Sequence, residues 1–433
     1  MKFVAAGDYL AQLNADRNDD FSAIRDFVCS SDARFVNLET SLFKNGDPEI
    51  YGNQFSGGTY LHADPSVLDD LKAYGFNMLS FANNHAFDFA VNGLLSTRKA
   101  VLDAEIVNAG AGLDLDEASS PAYLDIPSGC VALIAANASI ANDVMIAGNP
   151  SKCFPGRPGI NPLRSVERVC VTHDQMDVLK EIVNQSRVNA SQDISRAEGY
   201  SPAEKEGELT VNRKITFVEG PVARACSTVN TADLERILHT IDEAKAKADY
   251  VLVSVHAHAV CKNSKEDIAD FLVEFAHACI DRGADAVLGH GPHILRAVEI
   301  YQDRPIFYSL GDFILQCDYV QTAPADFYEK NGVAVDCPME ELFFKRSAGG
   351  TRGLKYTRKA NESVIASFEI EKGKLKDVSF LPIDMGFGID ERKGCPAPAF
   401  NLGIIERLAE LSKPFGTEIT VGKDGLGHVS ILG

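Results

Sequence analysis

The sequence predicts an α/β protein in which strands and helices alternate for most of its 433 residues. Two observations favour this fold class. Short runs of β-branched and aromatic residues are typical of buried strands, and stretches with helical apolar periodicity lie between them. In the second half, Gln302-Asp303 and Lys372-Gly373 each separate two strand-like runs, which predicts hairpins and therefore antiparallel strands.

Each predicted element follows from its own residues. Capping residues at Asp64 and Thr231 mark helix starts, while Gly75 and Gly283 mark helix ends. The strands are predicted over residues 3–6, 35–38, 78–82, 131–136, 250–255 and 286–288. The helices are predicted over residues 65–74, 91–104, 173–188, 231–248 and 265–282.

The chain is interpreted as a single domain over residues 1–433. It is expected to carry insertions at about 189–230 and 318–360, followed by a C-terminal hairpin plus helix at about 361–433. Residues 189–212 are polar, and residues 321–356 mix Pro and Gly with basic side chains, so neither segment shows a clear period. Such stretches are either binding loops or plain surface loops, and both interpretations stay open.

The charge balance excludes one class of partner. The chain has 42 Lys and Arg against 61 Asp and Glu, a net charge of −19. Nucleic-acid binding depends on clustered positive charge that neutralises phosphates, so no nucleic-acid partner is expected. A small anionic substrate or short oligomer remains compatible with this surplus, because two divalent cations and a few arginines can reverse the charge inside one cleft.

Cysteine usage and hydropathy bear on the cellular compartment. The ten cysteines are dispersed, without a Cys-x-x-Cys pair, which favours free thiols in a reducing compartment. The apolar run of the first strand is too short for a secretory leader, and the longest apolar stretches reach about half of the ~20 residues that cross a bilayer. We therefore expect a cytoplasmic protein without a membrane span. The oligomeric state stays open.

Metal-compatible side chains stand at the ends of five predicted strands. The carboxyl ends of parallel strands share one edge of an α/β sheet, so residues distant in sequence can meet there. Carboxylate, carboxamide and imidazole groups together suit Zn, Mn or Fe(II), and a bridging carboxylate can hold two ions. Taken singly, each motif is typical of a turn or a cap, but five coincidences favour a metal site. The residues are Asp8, Glu39, Asn83, Asn84, His85, His256, His258, His290 and His293.

Around these positions the sequence resembles the CapA family, also called the PgsA or poly-γ-glutamate capsule synthesis family, of the calcineurin-like metallophosphoesterase superfamily. The resemblance implies a four-layer α/β/β/α sandwich with mixed sheets and two divalent metal ions (Mn, Zn or Fe) at one edge. The motifs that carry it include Gly7-Asp8, Asn37-Leu38-Glu39-Thr40, Ala82-Asn83-Asn84-His85-Ala86-Phe87-Asp88, Gly156-Arg157-Pro158-Gly159, Leu288-Gly289-His290 and Ser309-Leu310-Gly311-Asp312-Phe313.

The resemblance also implies roles for individual residues. Glu39 corresponds to a carboxylate that bridges the two ions. His85 corresponds to the general acid that protonates the leaving group, with Asp88 as its orienting partner. The remaining metal ligands are Asp8 and His293 on one ion, and Asn84, His256 and His290 on the other.

The sequence departs from the family pattern at three places. Leu10 stands where many superfamily members have a His, so one ion is expected to have fewer protein ligands. Ala257-His258 stands where Trp-Gly usually follows the late-strand His, which makes His258 a substituted ligand, a proton carrier or a substrate contact. Asp312 replaces the usual Asn of the closing motif and either joins the site or lies in a surface turn.

These features predict a soluble metal-dependent hydrolase of an anionic substrate, with phosphoester-type chemistry by metal-activated water. The resemblance adds a link to poly-γ-glutamate metabolism. Two alternatives stay open: a γ-glutamyl or other amide hydrolase on the same fold, and a non-catalytic accessory protein of capsule polymer biosynthesis. Guanidinium and imidazole groups recognise carboxylate and phosphate. The residues expected to contact substrate are Arg157, Arg164, Arg224, His258 and Arg296.

Overall fold

Two large sheets contain the strands that end in the predicted site residues. The computed structural model describes residues 1–431 and shows a mixed α/β protein with several sheets. The first sheet contains β1 (Lys2–Leu10), β2 (Ala33–Leu38), β5 (Met78–Ser80), β6 (Val107–Ala109), β19 (Asp312–Leu315), β20 (Glu362–Glu371), β21 (Lys374–Asp384), β22 (Ala397–Pro398), β23 (Ile419–Val421) and β24 (Gly427–Val429). The second contains β8 (Ala122–Ile126), β9 (Gly129–Asn137), β15 (Tyr250–His256), β16 (Ala286–His290), β17 (Val298–Tyr301) and β18 (Arg304–Phe307).

Strand direction and register bring the site residues to one edge. β1 pairs in parallel with β2 and β19, and β15 pairs in parallel with β9 and β16. In this register Asp8 lies opposite Asp312, and His256 lies opposite His290. Both predicted hairpins are present, as β17–β18 and β20–β21.

Helices pack on both sheets. Four of the five predicted helices begin within two residues of the predicted start, and the fifth begins five residues later than predicted. The first helix was not predicted; Asn18 caps it and accepts the Phe21 N–H at 3.0 Å. Among residues 1–431, no helix is both long and apolar enough to cross a membrane. The helices are α1 (Asp19–Val28), α2 (Val67–Tyr74), α3 (Ala90–Asp103), α4 (Leu115–Ser119), α5 (His173–Ser186), α6 (Ala190–Ala197), α7 (Thr231–Lys245), α8 (Asp270–Arg282), α9 (Ala325–Lys330), α10 (Met339–Arg346), α11 (Arg358–Asn361) and α12 (Gly403–Ser412).

Alternation along the strands distributes the core side chains. Phe3 of β1 and Leu133 of β9 belong to one apolar cluster that the two sheets share. Their neighbours point the other way: Val4 joins a cluster with α1, α2 and α3, and Ile134 joins one with α7 and α8. Successive side chains of a strand face opposite sides of its sheet, so Phe3 and Leu133 face the shared cluster whereas Val4 and Ile134 face helices.

Both predicted insertions contain regular structure. The first, over residues 189–230, contains α6 and three strands of a third sheet, β12 (Glu208–Val211), β13 (Ile215–Glu219) and β14 (Arg224–Val229). The fourth strand of this sheet, β11 (Ser165–Val171), lies before the predicted boundary. Short strand pairs elsewhere are β3 (Ser41–Leu42) with β4 (His62–Ala63), and β7 (Ala111–Gly112) with β10 (Gly159–Ile160).

The helices and strands of the insertions were not predicted from the sequence because few of their residues are buried. Helix α6 buries only Gln192, and α9 and α10 each bury two residues. An apolar period requires a buried face, so the polar sequence of residues 189–212 and the mixed sequence of residues 321–356 indicated loops.

Candidate metal centre

Histidines and carboxylates from both large sheets converge at the shared strand edge. Three groups of residues each offer ligand atoms that lie within 4.8 Å of one another. The groups overlap, because Asp8, Glu39 and His256 each belong to two of them, and they therefore form one cluster. The groups are Asp8, His256 and His290; Glu39, His256 and His258; and Asp8, Glu39 and His293.

Two glycines bring the first-sheet aspartates together. A Cβ atom on Gly7 would lie 1.7 Å from the carbonyl oxygen of Gly311, so this approach of the two backbones requires glycine at position 7. The Asp8 N–H donates to the same carbonyl at 3.1 Å. As a result Asp8 and Asp312, which each follow one of these glycines, point into the same cluster.

Asp8 is a buried carboxylate with fixed oxygens. Its Oδ1 accepts the Asn37 side-chain amide at 2.7 Å, and its Oδ2 accepts the Gly291 N–H at 2.8 Å. Burial by itself would raise the pKa of Asp8, but His256 and His290 outweigh it and hold that pKa well below its usual range. The carboxylate is therefore ionised and oriented, as a metal ligand must be.

Glu39 is the most unusual carboxylate of the cluster. It is fully buried, and neither carboxylate oxygen has a hydrogen-bond partner within residues 1–431. Its Oε1 lies 3.4 Å from Nε2 of His256 and 3.9 Å from Nε2 of His85. Burial, together with the neighbouring charge of Asp8, raises the pKa of Glu39 well above its ordinary value. A buried carboxylate without donors is costly unless a cation satisfies it.

Further unsatisfied oxygens lie in the same neighbourhood. Oδ1 of Asn84 and Oδ2 of Asp312 also lack partners in the described part of the chain, although both residues are buried. The Asn84 amide is oriented by its Nδ2, which donates to the Gly57 carbonyl at 3.1 Å. Unsatisfied carboxylate and carboxamide oxygens beside imidazoles are the donor set of a divalent transition metal, so these residues fit the expected ions.

Three histidines line the second-sheet side of the cluster. Nδ1 of His256 lies 2.9 Å from Nδ1 of His290, and its Nε2 lies 3.2 Å from Nε2 of His258. Burial lowers the pKa of His256 to about 4 and the pKa of His258 well below its ordinary value. Both imidazoles are therefore neutral at pH 7, the form that binds metals. Nε2 of His290 lies 2.8 Å from the Ser254 hydroxyl, which orients that ring.

Asp312 contacts the cluster through His293 and does not lie in a surface turn. It is buried, and its Oδ1 lies 2.9 Å from Nδ1 of His293. Burial raises the pKa of Asp312 to about 6. Burial also opposes protonation of His293, but Asp312 outweighs it and raises the pKa of that imidazole. The departure from the family motif at this position thus adds a carboxylate partner to a predicted metal ligand.

His85 and Asp88 form a buried pair beside Glu39. Nδ1 of His85 lies 2.6 Å from Oδ2 of Asp88. The carboxylate also accepts the N–H groups of Gly57 at 2.8 Å and Leu61 at 2.9 Å. These donors fix Asp88, which in turn fixes the His85 ring with its Nε2 towards the cluster.

Three of the predicted substrate-binding arginines have other contacts. Arg157 is exposed and donates through Nε and Nη2 to the Ile146 carbonyl, each at 3.2 Å. Arg164 makes a bidentate ion pair with Asp233, with both distances 2.8 Å. Arg224 lies on the third sheet and pairs with Asp270 at 2.8 Å. The structure therefore places these guanidinium groups at backbone or carboxylate partners outside the metal cluster.

Arg296 has a different role from the expected substrate contact. Its side chain is fully buried, and burial lowers the pKa of its guanidinium to about 10. Its donors go to the carbonyls of Lys265 at 2.8 Å, Ala257 at 3.3 Å and Ala259 at 2.9 Å. Arg296 thus holds the backbone of the segment that carries His258 in place. Its guanidinium does not face the cleft.

The cleft next to the cluster contains basic residues that sequence analysis left unassigned. A cavity of about 200 Å³ is lined by His85 and His293 of the cluster region together with Arg346, Arg352 and Asp318 of the second insertion. Basic residues in an aperiodic segment were the only signal in the sequence. Their position in the same cavity as His85 depends on tertiary contacts that no local pattern reveals.

Comparisons with known proteins identify a family and several similar sequences. The family model for the bacterial capsule synthesis protein PGA_cap matches residues 2–317. "Uncharacterized protein y4sH" of Sinorhizobium fredii is 33% identical over 446 residues, which cover 99% of this chain and 92% of that protein. "PGA biosynthesis protein CapA" of Bacillus subtilis is 23% identical over 327 residues, 74% of this chain and 63% of that protein.

A comparison of structures adds a distant neighbour. A hypothetical protein from Thermus thermophilus aligns with 89% of this chain and 99% of its own, with 13% identity and a TM-score of 0.40.

The family match spans the five strands that supply the predicted ligands, and the resemblance to the CapA family is confirmed. The chain belongs to the bacterial capsule synthesis protein family PGA_cap.

Proposed function

We propose that this chain is a metal-dependent hydrolase of an anionic substrate, with phosphoester-type chemistry and a link to poly-γ-glutamate metabolism. The observation that carries the proposal is the pair of unsatisfied, fully buried Glu39 oxygens beside the imidazole of His256. We further propose that the two sheets and their outer helices form a four-layer α/β/β/α sandwich of the metallophosphoesterase type. A cytoplasmic location is proposed as well, in line with ten free cysteines.

Two divalent ions (Mn, Zn or Fe) are assigned to the cluster. Glu39 would bridge them, and Asp312 is proposed to support His293 from behind. His258 falls into one ligand group with Glu39 and His256, so a ligand role is proposed for it in preference to a substrate contact. The other proposed ligands are Asp8 and His293 on one ion, and Asn84, His256 and His290 on the second.

The chemistry divides between the ions and the chain's own groups. Bound divalent ions polarise the scissile bond and lower the pKa of water towards neutrality. His85 holds one proton on Nδ1 towards Asp88, and its Nε2 faces the cluster. The carboxylate of Asp88 stabilises the imidazolium form, which donates its Nε2 proton to the leaving-group oxygen.

A γ-glutamyl or other amide hydrolase is the second candidate function. Ions that polarise a phosphoryl group also polarise an amide carbonyl, and His85 would protonate the leaving amine in the same position. The relative from Bacillus subtilis is named for poly-γ-glutamate biosynthesis, and γ-amides link that polymer, which favours this candidate. The third candidate is a non-catalytic accessory protein in which the cluster only stabilises the fold.

Metal analysis combined with substrate assays tests these candidates. The full chain, loaded with Mn, Zn or Fe(II), is assayed with bis(4-nitrophenyl) phosphate and with a γ-glutamyl anilide, alongside His85→Ala and Glu39→Gln. The proposal expects bound metal, phosphoester turnover, and loss of turnover in both variants. Glu39→Gln should also lose metal, whereas His85→Ala should keep it. Turnover of the anilide alone selects the amide hydrolase. A protein that binds metal but hydrolyses neither substrate contradicts both enzymatic candidates and supports the accessory role.

A further inference from the structure

The second insertion forms part of the wall of the cleft next to the metal cluster. Helix α10 ends at Arg346, and Arg352 follows it after a short turn. Both arginines line the same cavity as His85 and His293. A group that enters this cavity therefore meets both the proposed general acid and two guanidinium groups.

Arg346 is held in a fixed orientation. Its Nη1 donates to the Thr59 hydroxyl, and its Nη2 donates to the Gly58 carbonyl at 3.3 Å. Its guanidinium carbon lies 5.2 Å from the centre of the Phe327 ring, which is a cation–π contact. A planar guanidinium held by three contacts keeps its remaining N–H groups in a fixed orientation, which favours recognition of an anion.

The loop at residues 57–59 joins this arginine to the catalytic pair. Gly57 donates to Asp88, and its carbonyl accepts the Asn84 side-chain amide. A Cβ atom on Gly57 would lie 2.5 Å from Nδ2 of Asn84 and 2.8 Å from the His85 ring, so the loop packs directly on both. The adjacent residues, Gly58 and Thr59, hold Arg346. The position of the arginine relative to His85 is therefore set by a short, tightly packed segment.

The protein neutralises at most one of the two positive charges on this wall. Arg164 and Arg224 have carboxylate partners, but within residues 1–431 neither Arg346 nor Arg352 forms a salt bridge. One carboxylate, Asp318, lines the same cavity. The wall therefore carries two positive charges and at most one negative charge, although the whole chain has a net charge of −19. These charges lie in a cleft, which concentrates their electric field.

We propose that Arg346 and Arg352 form a subsite for a second anionic group of the substrate, a carboxylate or a phosphate separate from the group that reacts. This rests on the proposed hydrolase function, which places the reacting group between His85 and the metal cluster. The preferred substrate is therefore a molecule with two anionic groups, one that reacts beside His85 and one that the two arginines bind. The insertion determines specificity, and the metal cluster supplies the chemistry.

Three matched phosphoesters test the subsite in the metal-loaded full chain. Phenyl phosphate carries only the reacting group, 4-carboxyphenyl phosphate adds a carboxylate, and 1,4-phenylene bisphosphate adds a phosphate. Arg352→Gln should lower kcat/KM for a two-anion substrate by roughly 10–100-fold, mainly through KM, because one charge-assisted hydrogen-bonding group is lost. Turnover of phenyl phosphate should stay within about twofold of the wild type. Whichever two-anion substrate loses more identifies the preferred group.

The control is Arg25→Gln, which makes the same charge change on α1, away from the cavity. Arg25 is exposed and pairs only with its neighbour Asp26, so this variant should leave all three reactions unchanged. An equal loss with all three substrates in Arg352→Gln overturns the subsite, since it indicates damage to the metal cluster. No change with any of them overturns it as well.

A binding measurement separates this proposal from the hydrolase function. Phenylglyoxal modifies accessible arginines, and the modification of Arg352 is followed by peptide mass spectrometry with Arg25 as internal reference. Terephthalate and 1,4-phenylene bisphosphate should slow the modification of Arg352 and leave Arg25 unaffected. Protection without hydrolysis of any substrate upholds the subsite and contradicts the hydrolase function. Hydrolysis without protection by either compound contradicts the subsite alone.

Discussion

Nδ1 of His85 and Oδ2 of Asp88 lie 2.6 Å apart, and the carboxylate is held from behind by two backbone N–H groups. The pair is buried, so solvent does not compete for either partner. Burial raises the pKa of Asp88 despite the hydrogen bonds from Gly57 and Leu61. Asp88 thus fixes the orientation of the His85 ring and favours the form of His85 with a proton on Nδ1.

Asp88→Asn should lower kcat while leaving bound metal unchanged. The amide can still accept a backbone N–H, but it offers no negative charge to His85 and can present a donor to Nδ1. General acid catalysis contributes about 10²–10⁴-fold, so a loss of this size is expected in turnover. Metal analysis of the variant provides the control. A kcat within about twofold of the wild type would contradict the assignment of Asp88 as the positioning residue.

Asp312→Asn restores the residue that the family pattern usually has at this position. It removes the charge that raises the pKa of His293, so that pKa should fall. Loss of a carboxylate behind a metal-binding imidazole typically weakens metal affinity by about 10–100-fold. Titration of the metal-free chain with Mn should show one weakened site and one unchanged site. Asp103→Asn, which affects an exposed ion pair with Lys99 on α3, should leave both sites intact; unaltered affinity in Asp312→Asn would refute the supporting role.

Acid should destabilise the protein through His62. This imidazole is buried against the Phe43 ring, and burial lowers its pKa from 6.5 to about 4. The unfolded chain therefore binds the proton more readily, so stability that is present above pH 6.5 is lost as the pH falls towards 4. The loss between pH 7 and pH 5 should be about 2 kcal/mol. Urea unfolding at both pH values should show this dependence in the wild type and a smaller one in His62→Gln.

His239→Gln is the matched control for that experiment. His239 lies on the exposed side of α7, with three quarters of its side chain accessible. The variant should keep the full acid dependence of the wild type. An equal pH dependence in wild type and His62→Gln would mean that other groups cause the acid sensitivity.

Phe35→Ala should destabilise the interface between the two large sheets. Phe35 of β2 is 1% exposed, and its ring lies 6.1 Å from the ring of His290 across that interface. Removing a buried phenyl ring costs about 3–5 kcal/mol because a cavity remains. Phe400→Ala, at a residue that is 96% exposed, should change stability by no more than about 0.5 kcal/mol. Chemical denaturation measures both variants, and similar small effects would contradict the packing described for Phe35.

Sequence analysis could select candidate residues where metal-compatible side chains and strand ends coincide. Asp8, Glu39 and His256 could be recognised because each follows or ends a short apolar run, and parallel strands place such residues at one edge. Asp312 was visible as a departure from a motif, but its burial was not. That burial depends on the pairing of β19 with β1, which lie about three hundred residues apart in the sequence.

Arginine roles were harder to predict because partners come from distant segments. Arg164 pairs with Asp233, which is 69 positions away in the sequence. Arg224 pairs with Asp270, which is 46 positions away. Arg346 reaches Thr59 across 287 positions. No local periodicity encodes such contacts, so the sequence showed which side chains could bind an anion but not which of them face the cleft.

The ligand groups of the metal cluster draw on both large sheets. Asp8 lies on the first sheet and His293 follows β16 of the second, so an ion bound by both would be a cross-link between two separately hydrogen-bonded sheets. Its release would remove that cross-link and leave the shared apolar cluster to hold the sheets together. Folding stability should therefore rise with the logarithm of free metal concentration once the binding constant is exceeded. The availability of metal in the cell would then regulate how much folded protein persists, apart from any effect on turnover.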